Sequence, residues 1–339
     1  MIRKRVSPRG LSLILLALLA FIFYIAKPKA GGTNLTHDAN PPQKLDKTGK
    51  AKEPELATGV ANVIDTHRTA TQPDLSFPKV IYQTSPHNDA TPAVLSWYYA
   101  NPADDHQHFT DAEALKFVRK HYSHAYDAYT SLLSPVARAD LFRYFVLHQL
   151  GGVYTDIDTT ALCPVSGWIP EEFSERDISL VIGIEVDEPT FDESKVAKWG
   201  WALNFQFVQW TIMARPGHPA LERAAELAIE QLRALAEERK TPLNRLELSK
   251  LDLVRNTGPG VFTTAVLEYL GVEPSTFHNL QRPKQVKDVL VLPVTAFAPN
   301  QRHSGSKSVS KWESVMEVRV MHGFQSTRSW MSWIKGLFL

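Results

Sequence analysis

The stretch "GGVYTDIDTT", Gly151–Thr160, ends a short apolar run with two aspartates one residue apart. Three chemistries fit that spelling. Asp156 can be a phosphorylated nucleophile with Asp158 as its acid partner, the pair can hold a divalent cation against a diphosphate, or both can be carboxylates solvated beyond a strand. Asp-x-Asp arises often by chance, so the neighbouring sequence has to decide.

Immediately upstream, Pro135 introduces "VARADLFRYFVLHQL", Val136–Leu150. Its nearly continuous apolar content predicts a helix buried on most sides, stopped by Gly151 and Gly152. Asp140 and Arg143 lie three positions apart, on one face of that helix. Burying such charges alone is costly, so they must pair with each other, with another side chain or with a ligand. The following "VYT" predicts a strand whose C-terminal end carries Asp156 and Asp158, at the edge where open α/β sheets place ligands. An extended Asp-x-Asp sends both side chains to the same side.

The whole chain of 339 residues is 44% hydrophobic and 22% charged, with a formal charge of +1, which suits a globular protein and argues against a nucleic-acid footprint. A single cysteine, Cys163, rules out an internal disulfide and a cysteine-based zinc site. Residues 1–10 carry Arg3, Lys4, Arg5 and Arg9 and precede the apolar run "LSLILLALLAFIFYIA" at 11–26, followed by Lys27, Pro28 and Lys29. At about 1.5 Å per residue the run spans roughly 24 Å, enough for the thinner membranes of the early secretory pathway. The basic flank predicts a cytosolic tail and an uncleaved type II signal anchor; a cleaved signal peptide is the competing reading. Residues 27–76 contain no Phe, Trp or Tyr and read as a disordered luminal stem, with a glycosylation sequon at Asn34.

A single folded domain is expected over 77–339. "FPKVIYQTS" from Phe77 gives a strand, "TPAVLSWYYA" and "DAEALKFVRKHY" give helices, the second capped by Asp111, and "HQHFTD" gives an extended piece between them. Strands alternating with helices predict an α/β domain with a mixed, mostly parallel sheet. Farther on, "PALERAAELAIEQLRALAEERK" from Pro219 reads as an amphipathic scaffold helix, and Trp199 and Trp201 in "KWGWALNF" as either an acceptor groove or core.

Five strings occur in order: "FPKVIYQT", "RADLFRYFVLHQLGGVYTDIDT", "FQFVQWTIMARPGHPAL", "NTGPGVFT" and "VMHGFQSTRSW". Together they resemble the sugar-binding region of glycosyltransferase family 32, and within it the fungal initiation-specific α-1,6-mannosyltransferases. A phosphatase of the haloacid dehalogenase type, the other family spelled this way, would place its nucleophile near the domain start and needs a later acidic pair, for which only Glu185 and Asp187 qualify.

The resemblance implies a GT-A-type nucleotide-sugar-binding fold, a Golgi type II location, retention of configuration, GDP-mannose as donor and Mn²⁺ or Mg²⁺ as cofactor. It implies Asp158 as direct metal ligand, Asp156 toward ribose and metal-bound water, and His322 as the third ligand. Asp140 and Arg143 would hold hydroxyls of the donor sugar, Arg138 would face the phosphates, and Tyr154 the ribose or sugar. Tyr82, Gln83 and Thr84 would form the nucleobase end. Asn256, Thr257 and Gly258 would form a turn opening a helix, with amides facing the donor. Ser329 and Trp330 would cover the donor, and Gln206 or Gln209 would lie near the anomeric carbon. This chain departs from the family's tighter His-His-Phe-x-Gly-Ser-Trp, having Gly323 for the second His and two extra residues before Ser329. Expected partners are a nucleotide sugar, a glycan acceptor, the membrane and a mannosyltransferase complex. Alternatives are an inositol phosphoceramide acceptor, a UDP-galactose donor, or a non-catalytic subunit.

Overall fold

A computed structural model describes residues 76–86, 90–300, 303–307 and 317–323. The apolar run at 11–26, the stem to residue 75, Asn34, Ser329 and Trp330 lie outside the described residues. Among the described residues no helix is long and apolar enough to cross a membrane.

Strand β1 (Val80–Thr84) leads through α1 (Pro92–Ala100) to β2 (Asp105–Phe109), then α2 (Asp111–His121) and α3 (Tyr126–Ser131). The α2 cap is Thr110, not Asp111 as the sequence reading had it: Thr110 and Glu113 form a reciprocal capping box, and Asp111 is the first helical residue. Helix α4 (Pro135–Leu150) starts where the Ser134 hydroxyl accepts the Ala137 amide, with Pro135 pre-set for the first turn. It stops at Gly151, whose φ of 67° lies in the left-handed region, and a Cβ there would lie 2.6 Å from Pro216.

Strand β3 (Gly152–Thr155) follows, then β4 (Thr159–Ala161), β5 (Leu180–Asp187), α5 (Glu193–Trp199), β6 (Phe205–Phe207) and β7 (Thr211–Ala214). Helices α6 (Pro219–Glu238), α7 (Lys250–Asn256) and α8 (Pro259–Leu270) come next, then β8 (Lys284–Val286), β9 (Val289–Leu292), α9 (Val294–Phe297) and β10 (Val320–His322).

The sheet order is β2-β1-β3-β7-β5-β9-β8, with β6 paired to β5. Along that path β2, β1, β3, β5 and β9 share one direction, and β7 and β8 run against it, so the sheet is mixed and mostly parallel as expected. Period-two alternation assigns each strand's side chains to two faces. Tyr82, Tyr154, Ile182 and Ile184 pack under α4, α6 and α8, while Ile81, Val153, Val181 and Leu290 meet Trp97, Trp168 and Phe297 on the other side. The strand carrying the aspartates, β3, is buried along its whole length between β1 and β7, so its register is fixed from both edges.

Candidate functional site

The two aspartates do not leave an extended strand. The Asp156 carbonyl accepts both the amide and the hydroxyl of Thr159, which closes a tight turn between β3 and β4. This corrects the extended reading: Thr159 supplies a local hydrogen-bond alternative to the strand ladder, and the turn brings the two carboxylates together. Asp156 itself is fixed by its amide, which donates to the Trp210 carbonyl at 2.9 Å.

Strand β10 then pairs antiparallel with β4, with His322 opposite Thr159. That register sets His322 Nε2 3.0 Å from Asp158 Oδ1. Gly323 continues the approach, its amide donating to the Asp158 carbonyl at 2.7 Å. A Cβ on Gly323 would also sit 2.7 Å from that backbone oxygen, which gives the departure at this position a physical reason: no side chain fits here without a shift. The Trp210 indole stacks on the His322 ring at 4.5 Å between centroids.

One ligand atom each from Asp156, Asp158 and His322 lies within 4.8 Å of the others. A divalent ion bound octahedrally at about 2.1 Å keeps neighbouring ligands about 3.0 Å apart, so the Asp158–His322 separation matches one edge of such a shell. Two hard carboxylates and an imidazole suit Mn²⁺ or Mg²⁺, and the residues present therefore fit the ion.

Below the turn, Asp140 and Arg143 are each 3% exposed. Arg143 bridges two carboxylates, with Nη1 3.1 Å from Asp140 Oδ1 and Nη2 2.9 Å from Asp156 Oδ1. Its guanidinium also lies over the Tyr154 ring at 4.9 Å, and the Tyr154 hydroxyl donates to Asp156 Oδ1 at 3.1 Å. Burial opposes the Arg143 charge, but Asp156, Tyr154 and Asp140 outweigh it and raise its pKa above the ordinary arginine range. Asp140 accepts further bonds from Gln209 Nε2 at 3.2 Å and Thr257 Oγ1 at 2.7 Å. The pair thus forms an internal ion network that reaches the DXD turn. Beside it, Gln209 is 8% exposed and its Oε1 has no hydrogen-bond partner among the described residues, as is also true of Arg138 Nε. An unsatisfied buried carbonyl costs about 1–3 kcal/mol, a cost that a ligand hydroxyl removes.

The other expected residues are distributed as follows. Gln83 reaches the Asp156 carbonyl at 3.4 Å, and the Thr84 hydroxyl donates to the Phe109 carbonyl. Tyr82 is 2% exposed and packs against Phe109, so it supports β1 from the core. The turn at Asn256–Gly258 differs from expectation. The amides of Thr257 and Gly258 both donate to the Leu253 carbonyl, terminating α7, and their own carbonyls accept the Tyr144 hydroxyl. The two amides are thus taken up by the end of α7 rather than turned outward, and Thr257 reaches the site network through its side chain on Asp140.

Two residues near the triad were not foreseen. Trp210 holds both Asp156 and His322, as above. Glu185 accepts from Gln206 Nε2 at 2.9 Å and from Trp210 Nε1 at 3.4 Å. Burial raises the Glu185 pKa, against the lowering effect of Gln206 and His322. Glu185 and Asp187 do not form the acidic pair of a phosphatase, since Asp187 is engaged by His278 and the Asn279 amide, each at 2.6 Å.

Residues 88–175 match the family described as the glycosyltransferase sugar-binding region containing DXD motif. The chain is 34% identical over 257 residues to the initiation-specific alpha-1,6-mannosyltransferase of Schizosaccharomyces pombe, covering 72% of this chain and 63% of that protein. It is 35% identical over 239 residues to the protein of the same name from Candida albicans, covering 62% and 60%. To inositol phosphoceramide mannosyltransferase 3 of S. pombe it is 24% identical over 161 residues, covering 44% and 45%. The chain thus spans less than two thirds of the length of each. The resemblance read from the five strings is borne out: residues 88–175 are similar to the DXD-containing sugar-binding region of glycosyltransferases, and the matched span includes Asp156 and Asp158.

Proposed function

We propose that the chain is a retaining, metal-dependent hexosyltransferase of GT-A architecture. It transfers mannose from GDP-mannose in α-1,6 linkage to N-linked glycans, in the Golgi lumen, with residues 11–26 as its anchor. The observation that carries this reading is the convergence of Asp156, Asp158 and His322 at the end of a buried strand. The similarity of residues 88–175 to the DXD-containing sugar-binding region and to the two α-1,6-mannosyltransferase relatives supports the donor and the linkage.

Asp156, Asp158 and His322 would hold a divalent cation, which would supply positive charge to offset the charge that the diphosphate oxygens gain as the glycosidic bond breaks. The chain's own residues do the rest. Arg143 fixes one Asp156 oxygen from below, so that the turn is set before the donor arrives. Gln209 and the Asp140 network accept hydroxyls of the donor sugar, Arg138 faces the phosphates, and Gln83 and Thr84 lie toward the nucleobase. Attack comes from the face the diphosphate leaves, and the departing phosphate takes the acceptor's proton. Similarity to inositol phosphoceramide mannosyltransferase 3 favours one second reading, in which the same donor serves a lipid-linked acceptor.

The test incubates the purified full chain with Mn²⁺ and a panel of sugar nucleotides, offering a high-mannose glycan and inositol phosphoceramide. Mannose transfer from GDP-mannose to the glycan is the expected result. Transfer to the lipid alone selects the second reading, and a phosphoaspartate at Asp156 overturns both.

A further inference from the structure

A cavity of about 580 Å³ opens between α5, the loop after it and the α7–α8 turn, on the β5–β6 side of the DXD strand. It lies away from β1, whose Gln83 and Thr84 are assigned to the nucleobase. Its walls present hydrogen-bonding side chains, Glu193, Asn204, Gln231 and Arg255, rather than a continuous apolar surface. Both ends of the cavity adjoin the catalytic network. On one wall Ala202 and Leu203 donate their amides to Gln206 Oε1 at 3.1 and 3.3 Å, and Gln206 in turn holds Glu185. On the other wall Asn256 precedes Thr257, the hydroxyl of which bonds Asp140.

From the cavity a ladder of rings leads outward. Phe191 lines the cavity, Trp201 stacks on Phe191 at 6.0 Å and 25°, and Trp199 stacks on Trp201 at 5.2 Å and 16°. Trp199 is 53% exposed. Flat aromatic rings beside an array of polar groups suit a saccharide, which presents apolar C–H faces to the rings and hydroxyls to the amides and charges. An acyl chain would leave the cavity's polar groups without partners.

We propose that this cavity and the Trp199–Trp201 ladder form a subsite for the acceptor oligosaccharide, holding sugar units beyond the one that receives mannose. The inference rests on the glycosyl-transfer reading and specifies its acceptor as an extended glycan. Trp199 and Trp201 become the acceptor side of the site, and Gln231 and Arg255 its polar wall.

The test measures binding of a released high-mannose oligosaccharide, and separately of GDP-mannose with Mn²⁺, to the full chain and to Trp199→Ala, Trp199→Phe and Gln231→Ala. The expected result is oligosaccharide affinity lowered about 10-fold in Trp199→Ala and Gln231→Ala, largely restored in Trp199→Phe, with GDP-mannose affinity unchanged. In turnover, the same variants raise KM for the oligosaccharide about 10-fold, leaving kcat and KM for methyl α-mannoside unchanged. Wild-type protein that binds no oligosaccharide, or Trp199→Ala and Gln231→Ala variants that bind it as wild type does, overturns the subsite. Oligosaccharide binding that depends on Trp199, in a protein that neither binds GDP-mannose nor transfers mannose, supports the subsite and sinks the transferase reading instead.

Discussion

His322 Nε2 lies 3.0 Å from Asp158 Oδ1, although 164 residues separate the two in sequence. The two-stranded ladder of β10 on β4 makes that contact, and stacking on Trp210 holds the ring. His322→Ala is therefore expected to raise the Mn²⁺ concentration for half-maximal activity about 10- to 100-fold while leaving the thermal midpoint nearly unchanged. His322→Asp, which offers a carboxylate oxygen in place of the imidazole nitrogen, should recover part of the loss. Metal titrations of activity check both.

Arg143 joins Asp140 to Asp156 in a buried network, and removing the one cation leaves two carboxylates uncompensated. Arg143→Met is expected to destabilise the fold by about 3–5 kcal/mol in urea denaturation. Asp140→Asn combined with Arg143→Met should cost less than the sum of the single changes, because the double variant no longer buries an unpaired Asp140.

Gly323 contributes through the absence of a side chain. In Gly323→Ala the new Cβ meets the Asp158 carbonyl at 2.7 Å, so β10 must shift away from the DXD turn. Weaker Mn²⁺ binding with an unchanged urea midpoint is the expected outcome, since the displaced strand is short and lies outside the main sheet.

His218 caps α6, its Nδ1 accepting the Ala220 amide at 3.2 Å, and burial lowers its pKa from the usual 6.5 to about 4, against the pull of Asp288. The pKa is lower in the folded state, so the neutral ring's contribution is complete above pH 6.5 and is lost as pH falls toward about 4. His218→Asn keeps a capping acceptor and removes the titration. The unfolding free energy of the wild type in urea should fall more steeply than that of the variant across this window, by roughly 3 kcal/mol.

Much of this site is written locally. The helix at 135–150, its glycine stop and the strand that follows are encoded in consecutive residues, whereas the reading of Asp156 and Asp158 as a cation clamp came from the resemblance carried by five strings spread along the chain. The scaffold helix at 219–238 declared itself by its period. What escaped was set by distant pairing. No local pattern says that Thr159 folds the Asp-x-Asp into a turn, that Trp210 supports both Asp156 and His322, or that Arg143 spends its guanidinium on Asp156. Nor does Gly-Pro-Gly say which carbonyl takes the amides of Thr257 and Gly258, since that is decided by where α7 ends.

The most direct measurement is transfer of radiolabelled mannose from GDP-mannose to a high-mannose glycan by the purified full chain, compared with Asp158→Asn, each with Mn²⁺ and with a chelator. The account predicts transfer by the wild type with Mn²⁺, and a loss of at least about 100-fold in the variant or on chelation. Transfer that persists unchanged in Asp158→Asn, or in the presence of chelator, contradicts the cation clamp on which the account rests.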